Sequence, residues 1–166
     1  GNLGDSYLGL LILKNKLKLN NKLKKYFTHQ YFLPNIQLKL TNQINKFANT
    51  SIDVSDGLLA DLDKMINNQN LSYKLFLEDI PISKNFKKII NLKKLSKINC
   101  ISNGDDYQVL FTASKNKTRI IKKIASKLRV KLTKIGSILN HNKKSSIVDS
   151  KNVQISLKNK GYSHKF

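Results

Sequence analysis

The sequence predicts an α+β domain, with a mixed or antiparallel sheet and helices packed on one side. Two observations carry this. Short β-branched or alternating runs near residues 52–54, 71–77, 107–112, 132–138 and 147–157 are separated by stretches whose apolar residues recur at three- and four-residue spacing. In addition, 166 residues with 40% hydrophobic content suffice for one buried core, so a single domain over residues 1–166 is expected.

From Ser6 to Leu19, the apolar residues Leu8, Leu10, Leu11, Leu13 and Leu17 predict a helix capped by Asp5 or Ser6. Residues Lys14 to Lys25 read as a solvated helix end and linker, and Tyr26 to Leu40 as a second helix or an extended approach around Pro34. A short strand is expected to end at Val54. Past Gly57, the positions Leu58, Leu59, Leu62, Met65 and Ile66 form one helical stripe, which Asn67-Asn68 ends. Ser55 or Asp56 is the expected N-cap, because a short oxygen-bearing side chain there accepts from the unpaired N–H groups of the first turn. Leu71 to Leu77 alternates as a strand, residues 78–83 form a loop, and Phe86 to Leu95 is helical. Asn103-Gly104 makes a turn before a mostly buried strand from Tyr107 to Thr112. Thr118 to Leu128 is an amphipathic helix, Leu132 to Ile138 a strand, Leu139 to Ser145 a polar turn, and Ile147-Val148 with Val153 to Leu157 a final hairpin.

Charge is distributed unevenly along this pattern. The chain holds 31 Lys+Arg against 10 Asp+Glu, yet Asp53, Asp56, Asp61 and Asp63 fall within eleven residues. Asp53 and Asp56 stand at a strand-to-helix corner, where free N–H groups suit anionic oxygens and hard carboxylates suit Mg²⁺. The plain structural alternative is a capped helix whose acids favour the dipole. An EF-hand is excluded, since Gly57 and Lys64 stand where that loop needs acids. Asp105 and Asp106 open a second acidic block ahead of the 107–112 strand; there the alternative is an Asx-type turn bonding its own backbone.

The net charge of +21 invites a nucleic-acid partner. Only Arg119 and Arg129 are arginines, however, and the lysines are spread along every segment without stacking aromatics. Compositional, solvated lysine is therefore favoured over a nucleic-acid surface. Cys100 is the only cysteine, which excludes an intrachain disulfide and a zinc knuckle and fits a reducing cytoplasm. The apolar run Leu8 to Leu13 is too short to span a bilayer, and no membrane association is expected. No Walker or dinucleotide loop is present.

Asp53-Val54-Ser55-Asp56-Gly57-Leu58, followed by Asp61-Leu62, resembles the signature that opens the second half of thiamine-monophosphate kinases. Asn103-Gly104-Asp105-Asp106-Tyr107-Gln108-Val109-Leu110-Phe111-Thr112 resembles the family's Gly-Gly-Glu-Asp-Tyr-Glu-Leu-Leu-Phe-Thr segment. Gly1-Asn2-Leu3-Gly4-Asp5-Ser6 and Gly161-Tyr162-Ser163-His164 bracket the chain with two further matches, the first at a domain junction. The resemblance implies the C-terminal domain of the aminoimidazole ribonucleotide synthetase-like superfamily, with an N-terminal ATP-binding domain absent from these residues. Tyr31-Phe32-Leu33-Pro34-Asn35 departs from the family's Arg-Pro-x-Pro-Arg pattern, and both arginines are missing.

What the resemblance implies is ATP-dependent phosphorylation of thiamine monophosphate to thiamine diphosphate. Asp53 and Asp56 would be Mg²⁺ ligands, Ser55 an ATP contact, and Asp105 and Tyr162 substrate contacts. No general base is assigned, because the attacking phosphate oxygen is already anionic. The isolated chain is expected to be inactive without an N-terminal domain in cis or trans, and a homodimer is left open. Two alternatives stand beside this: a superfamily enzyme with another phosphate acceptor, and a lysine-rich nucleic-acid-binding module.

Overall fold

The computed structural model describes residues 1–67, 69–140 and 144–156. Seven α-helices and five strands are found among them: α1 (Asp5–Leu13), α2 (Asn21–Phe32), α3 (Leu38–Ile44), β1 (Thr50–Val54), α4 (Leu58–Ile66), β2 (Leu71–Phe76), α5 (Lys84–Ile90), α6 (Lys97–Ile101), β3 (Gln108–Thr112), α7 (Thr118–Leu128), β4 (Gly136–Asn140) and β5 (Ser146–Val148). The α+β class holds, but the strands form two small sheets. One is the antiparallel pair β1–β3. The other has the order β4–β2–β5, with β4 antiparallel and β5 parallel to β2.

Local chemistry sets most boundaries. The Asn20 and Ser83 side chains accept from Leu23 N and Phe86 N, each starting a helix by satisfying an otherwise unpaired amide. The main core gathers Leu8, Phe27, Val54, Leu58, Leu59, Ile80, Phe86 and Ile101, so α1, α2, α4, α5 and α6 share one interior. A second cluster of Leu40, Phe47 and Ile124 lies between α3 and α7, with Val109 and Phe111 of β3 packed on it.

Several expected boundaries move. Helix α1 stops at Leu13 rather than Leu19, and Asn21 to Lys25 belongs to α2 rather than to a linker. Tyr26 to Leu40 holds the end of α2, a break at Pro34 and the start of α3. The 107–112 strand begins at Gln108, which is buried, while its other residues are only half-buried. The strand expected over 132–138 lies at 136–140, so Leu139 and Asn140 of the expected turn belong to β4, and residues 141–143 of that turn lie outside the described residues. The final return is present, with Ile155 N donating to Ile147 O at 2.9 Å, although β5 takes its longer pairing from β2. Leu157 of that hairpin and Asn68 of the expected α4 stop lie outside the described residues. No helix among the described residues is long and apolar enough to cross a membrane.

Candidate functional site

The two acidic blocks meet. Strands β1 and β3 pair with Val54 opposite Gln108, so the residues after β1 and before β3 leave the sheet side by side. Asp105 N donates to Ser55 O at 2.9 Å and Tyr107 N to Val54 O at 2.8 Å. Two glycines permit this closeness. Gly57 has φ +118° and Gly104 φ +75°, and an added Cβ would stand 2.2 Å from Ser102 O and 2.1 Å from Ser55 O respectively. Both positions need a positive φ and no side chain.

Asp61, rather than Ser55 or Asp56, closes the turn at the start of α4. The N-cap position is Gly57, with no cap from its own side chain. The buried Asp61 carboxylate folds back instead, its Oδ2 accepting from Asp56 N at 2.9 Å and Gly57 N at 3.1 Å. Asp61 Oδ1 accepts from Lys64 Nζ at 3.2 Å, and the same ammonium also pairs with Asp56 Oδ2. These hydrogen bonds raise the Lys64 pKa above its ordinary value, that to Asp56 first.

A similar exchange occurs at α1. Neither Asp5 nor Ser6 caps it; both lie in its first turn, and Gly4 holds the N-cap position without a side-chain bond. The cap comes from across the molecule, since Asp106 Oδ2 accepts from Gly4 N at 2.7 Å and Oδ1 from Ser6 N at 3.4 Å. Burial pushes the Asp106 carboxyl up to about 7, against the lowering effect of those donors. Asp5 is likewise raised by burial, opposed by hydrogen bonds from Ser83 Oγ and Tyr26 Oη, both at 2.8 Å. A cavity of about 520 Å³ opens beside these acids, lined in part by Asp5, Tyr26, Asn35, Asp106 and Gln108.

Of the sequence-predicted residues, Ser55, Asp56 and Asp105 are brought to one corner. Asp105 is raised by burial and then by repulsion from Asp56, which records their proximity. Asp53 is exposed on β1 opposite Val109. Tyr162 lies outside the described residues. Three residues with no assigned role prove structural to the site: Asp61, Lys64 and Asp106. The spacing of Lys64 three residues after Asp61 on a predicted helix was a readable signal. For Asp106 no local signal existed, because its partners lie about a hundred residues away.

The donor set at the corner is of hard oxygens. Among the described residues no three His, Cys, Asp or Glu side chains group closely enough to hold a metal by themselves. Magnesium does not require three, since it keeps waters and takes one or two carboxylates plus substrate phosphates; of the two expected ligands, Asp56 stands at this corner beside Lys64 and Asp53 on β1.

No protein-family model matches the chain. A thiamine-monophosphate kinase of Buchnera aphidicola subsp. Acyrthosiphon pisum is 34% identical over 166 residues, covering 99% of this chain and 50% of the relative. The crystal structure of a thiamine-monophosphate kinase from Stenotrophomonas maltophilia superposes with a TM-score of 0.75 at 26% identity, covering 90% of this chain and 48% of that one. A structure described as AaThiL complexed with AMPPCP and TMP has a TM-score of 0.77 at 24% identity and covers 99% and 49%. The chain thus spans about half the length of the curated relatives it matches.

Proposed function

This chain is homologous to the C-terminal half of the thiamine-monophosphate kinases, and from that premise we propose that it forms one side of a site moving the γ-phosphoryl of ATP to thiamine monophosphate. The observation that carries this reading is the docking of the Asp105 turn on the Ser55-Asp56 turn. It sets an acidic, amide-rich corner beside a second acid, and the similarly folded AaThiL was captured with AMPPCP and TMP.

Joining two polyanions is mainly a problem of charge and geometry. Bound Mg²⁺ supplies neutralisation of the phosphate oxygens. In this chain, Asp53 and Asp56 would hold that cation, and Ser55 would offer its hydroxyl to ATP. Asp61 keeps the 55–57 backbone in place by occupying two of its amides, and Lys64 balances the charge on Asp56 and Asp61. Asp105 contacts thiamine monophosphate; it is one methylene shorter than the family's glutamate, so the contact runs through a water or is made differently. Tyr162 stacks on the substrate's ring system. No side chain acts as base, since the attacking oxygen carries its own charge. The 166 residues act as one domain beside an N-terminal half supplied in cis or trans, in the cytoplasm.

In a complete kinase carrying this chain, Asp53→Asn abolishes thiamine monophosphate phosphorylation while leaving thermal unfolding unchanged. Normal turnover in that variant sinks the metal assignment. The chain by itself gives no ATP-dependent product, and detectable product from it overturns the two-half reading.

A further inference from the structure

The turn carrying Asp105 has a backbone shape that needs external restraint. Gly104, Asp105 and Tyr107 have φ of 75°, 61° and 49°. Left-handed conformations cost a non-glycine residue on the order of 1 kcal/mol or more, and they persist only where the surroundings over-determine them. One side of this turn is fixed by β1 and the residue after it, through Asp105 N to Ser55 O and Tyr107 N to Val54 O. On the other side Asp106 is held twice, by its own side chain and by Gln108 Nε2, which donates to Asp106 O at 3.0 Å. Asp106 is 3% exposed, and its side chain accepts from Gly4 N and Ser6 N.

We infer that Asp106 is a positioning residue: its buried carboxylate clamps the Gly104–Tyr107 turn to the start of α1 and so aims Asp105 at the substrate. The inference rests on the reading of Asp105 as a substrate contact. A cap serving α1 alone would not require its carboxylate to come from between two left-handed residues. Here one side chain ties the first turn of α1, the end of β1 and the Asp105 carboxylate into a single geometry, so displacing it shifts Asp105 without removing any atom from the site.

The test is a mutant cycle in the complete kinase with thiamine monophosphate as the varied substrate. Asp106→Asn leaves one acceptor oxygen for two donors. It is expected to raise the KM for thiamine monophosphate about tenfold with kcat within about threefold, as misplacement of a binding group does. Asp105→Ala raises the same KM, and the double variant equals Asp105→Ala, because Asp106 acts only through Asp105. Additive effects, or an unchanged KM in Asp106→Asn, overturn the inference while Asp105 keeps its role. An unchanged KM in Asp105→Ala overturns the substrate-contact reading and the aiming with it. A second arm is independent of activity: NMR couplings and intraresidue NOEs of the 166-residue chain report φ at Asp105 and Tyr107. Loss of positive φ in Asp106→Asn supports the clamp, and its retention refutes it. Should Asp106→Asn fail to fold, Asp106→Glu, which displaces the carboxylate by one methylene, takes its place in both arms.

Discussion

Replacing Asp61 by alanine tests whether a side chain inside α4, and not one before it, builds the acidic corner. Asp61 is 1% exposed, and its Oδ2 serves both Asp56 N and Gly57 N. Alanine leaves those two amides without an acceptor, and a hydrogen bond to a charged group contributes about 1.5 kcal/mol or more. The two bonds together amount to about 3 kcal/mol. Removing a buried carboxylate also removes its desolvation cost, but Gly57 is buried and Asp56 half-buried, so the orphaned amides dominate. The Lys64 pair adds little, since that ammonium is half exposed and screened. At 2–4 °C per kcal/mol for a domain of this size, Asp61→Ala should lower Tm by roughly 6–12 °C. Asp61→Asn can set its one oxygen where Oδ2 stands and keep both bonds without the charge, so it should lose about half as much. Circular dichroism melts and urea titrations of the three proteins measure both. Destabilisation below about 1 kcal/mol for Asp61→Ala, or equal losses for the two variants, would refute the capping role.

The other predictions concern the interlocked turns. Gly57→Ala or Gly104→Ala should each cost about 3 kcal/mol, since each combines a positive φ with a Cβ inside contact distance of a backbone carbonyl, and a melt within 3 °C of the parent would contradict the close approach. Folded Asp106 keeps its proton up to about pH 7, whereas an unfolded aspartate releases it near pH 4. The folded state therefore binds more protons in that window, and stability should fall as pH rises from about 4 to 7, by up to about 4 kcal/mol. Asp5, which faces Asp106 and is also raised, adds to the same slope. Urea unfolding at pH 5 and pH 8 reads the sign, and Asp106→Asn should flatten the dependence; stability rising with pH would contradict it.

The strand, turn and helix around residues 50–66 were legible because each depends on neighbours in sequence: alternation to Val54, a glycine, then a helical stripe from Leu58. Helix α7 was legible for the same reason, its bounds agreeing with the periodicity of Ile120, Ile121, Ile124 and Leu128. Helix α6 spans only five residues, too few to show a period. The caps were misread because the expectation looks for an acceptor before the first turn. Asp61 reaches back from inside its helix, and Asp106 reaches α1 from 102 residues away. The splitting of the strands into two sheets is equally non-local, since β2 finds partners in β4 and β5 more than sixty residues later.

The same distinction separates the residues that the family motifs point to from those that hold them. Ser55, Asp56 and Asp105 carry polar groups toward a shared corner, and their role can be guessed from chemistry and spacing. Asp61 and Asp106 are also acids in those motifs, but both are buried and turned toward backbone amides. Each motif therefore contains one buried acid that serves the backbone beside its more exposed acids. A carboxylate buried at Asp106 costs stability whenever it is ionised, and a neutral asparagine or serine would suffice for a helix cap alone. The structural gain that offsets this cost is the clamp on Asp105. Asp106 is buried on the amides of α1 whereas Asp105 beside it is left partly exposed in a left-handed conformation, and for that reason the two are not interchangeable despite being the same residue type.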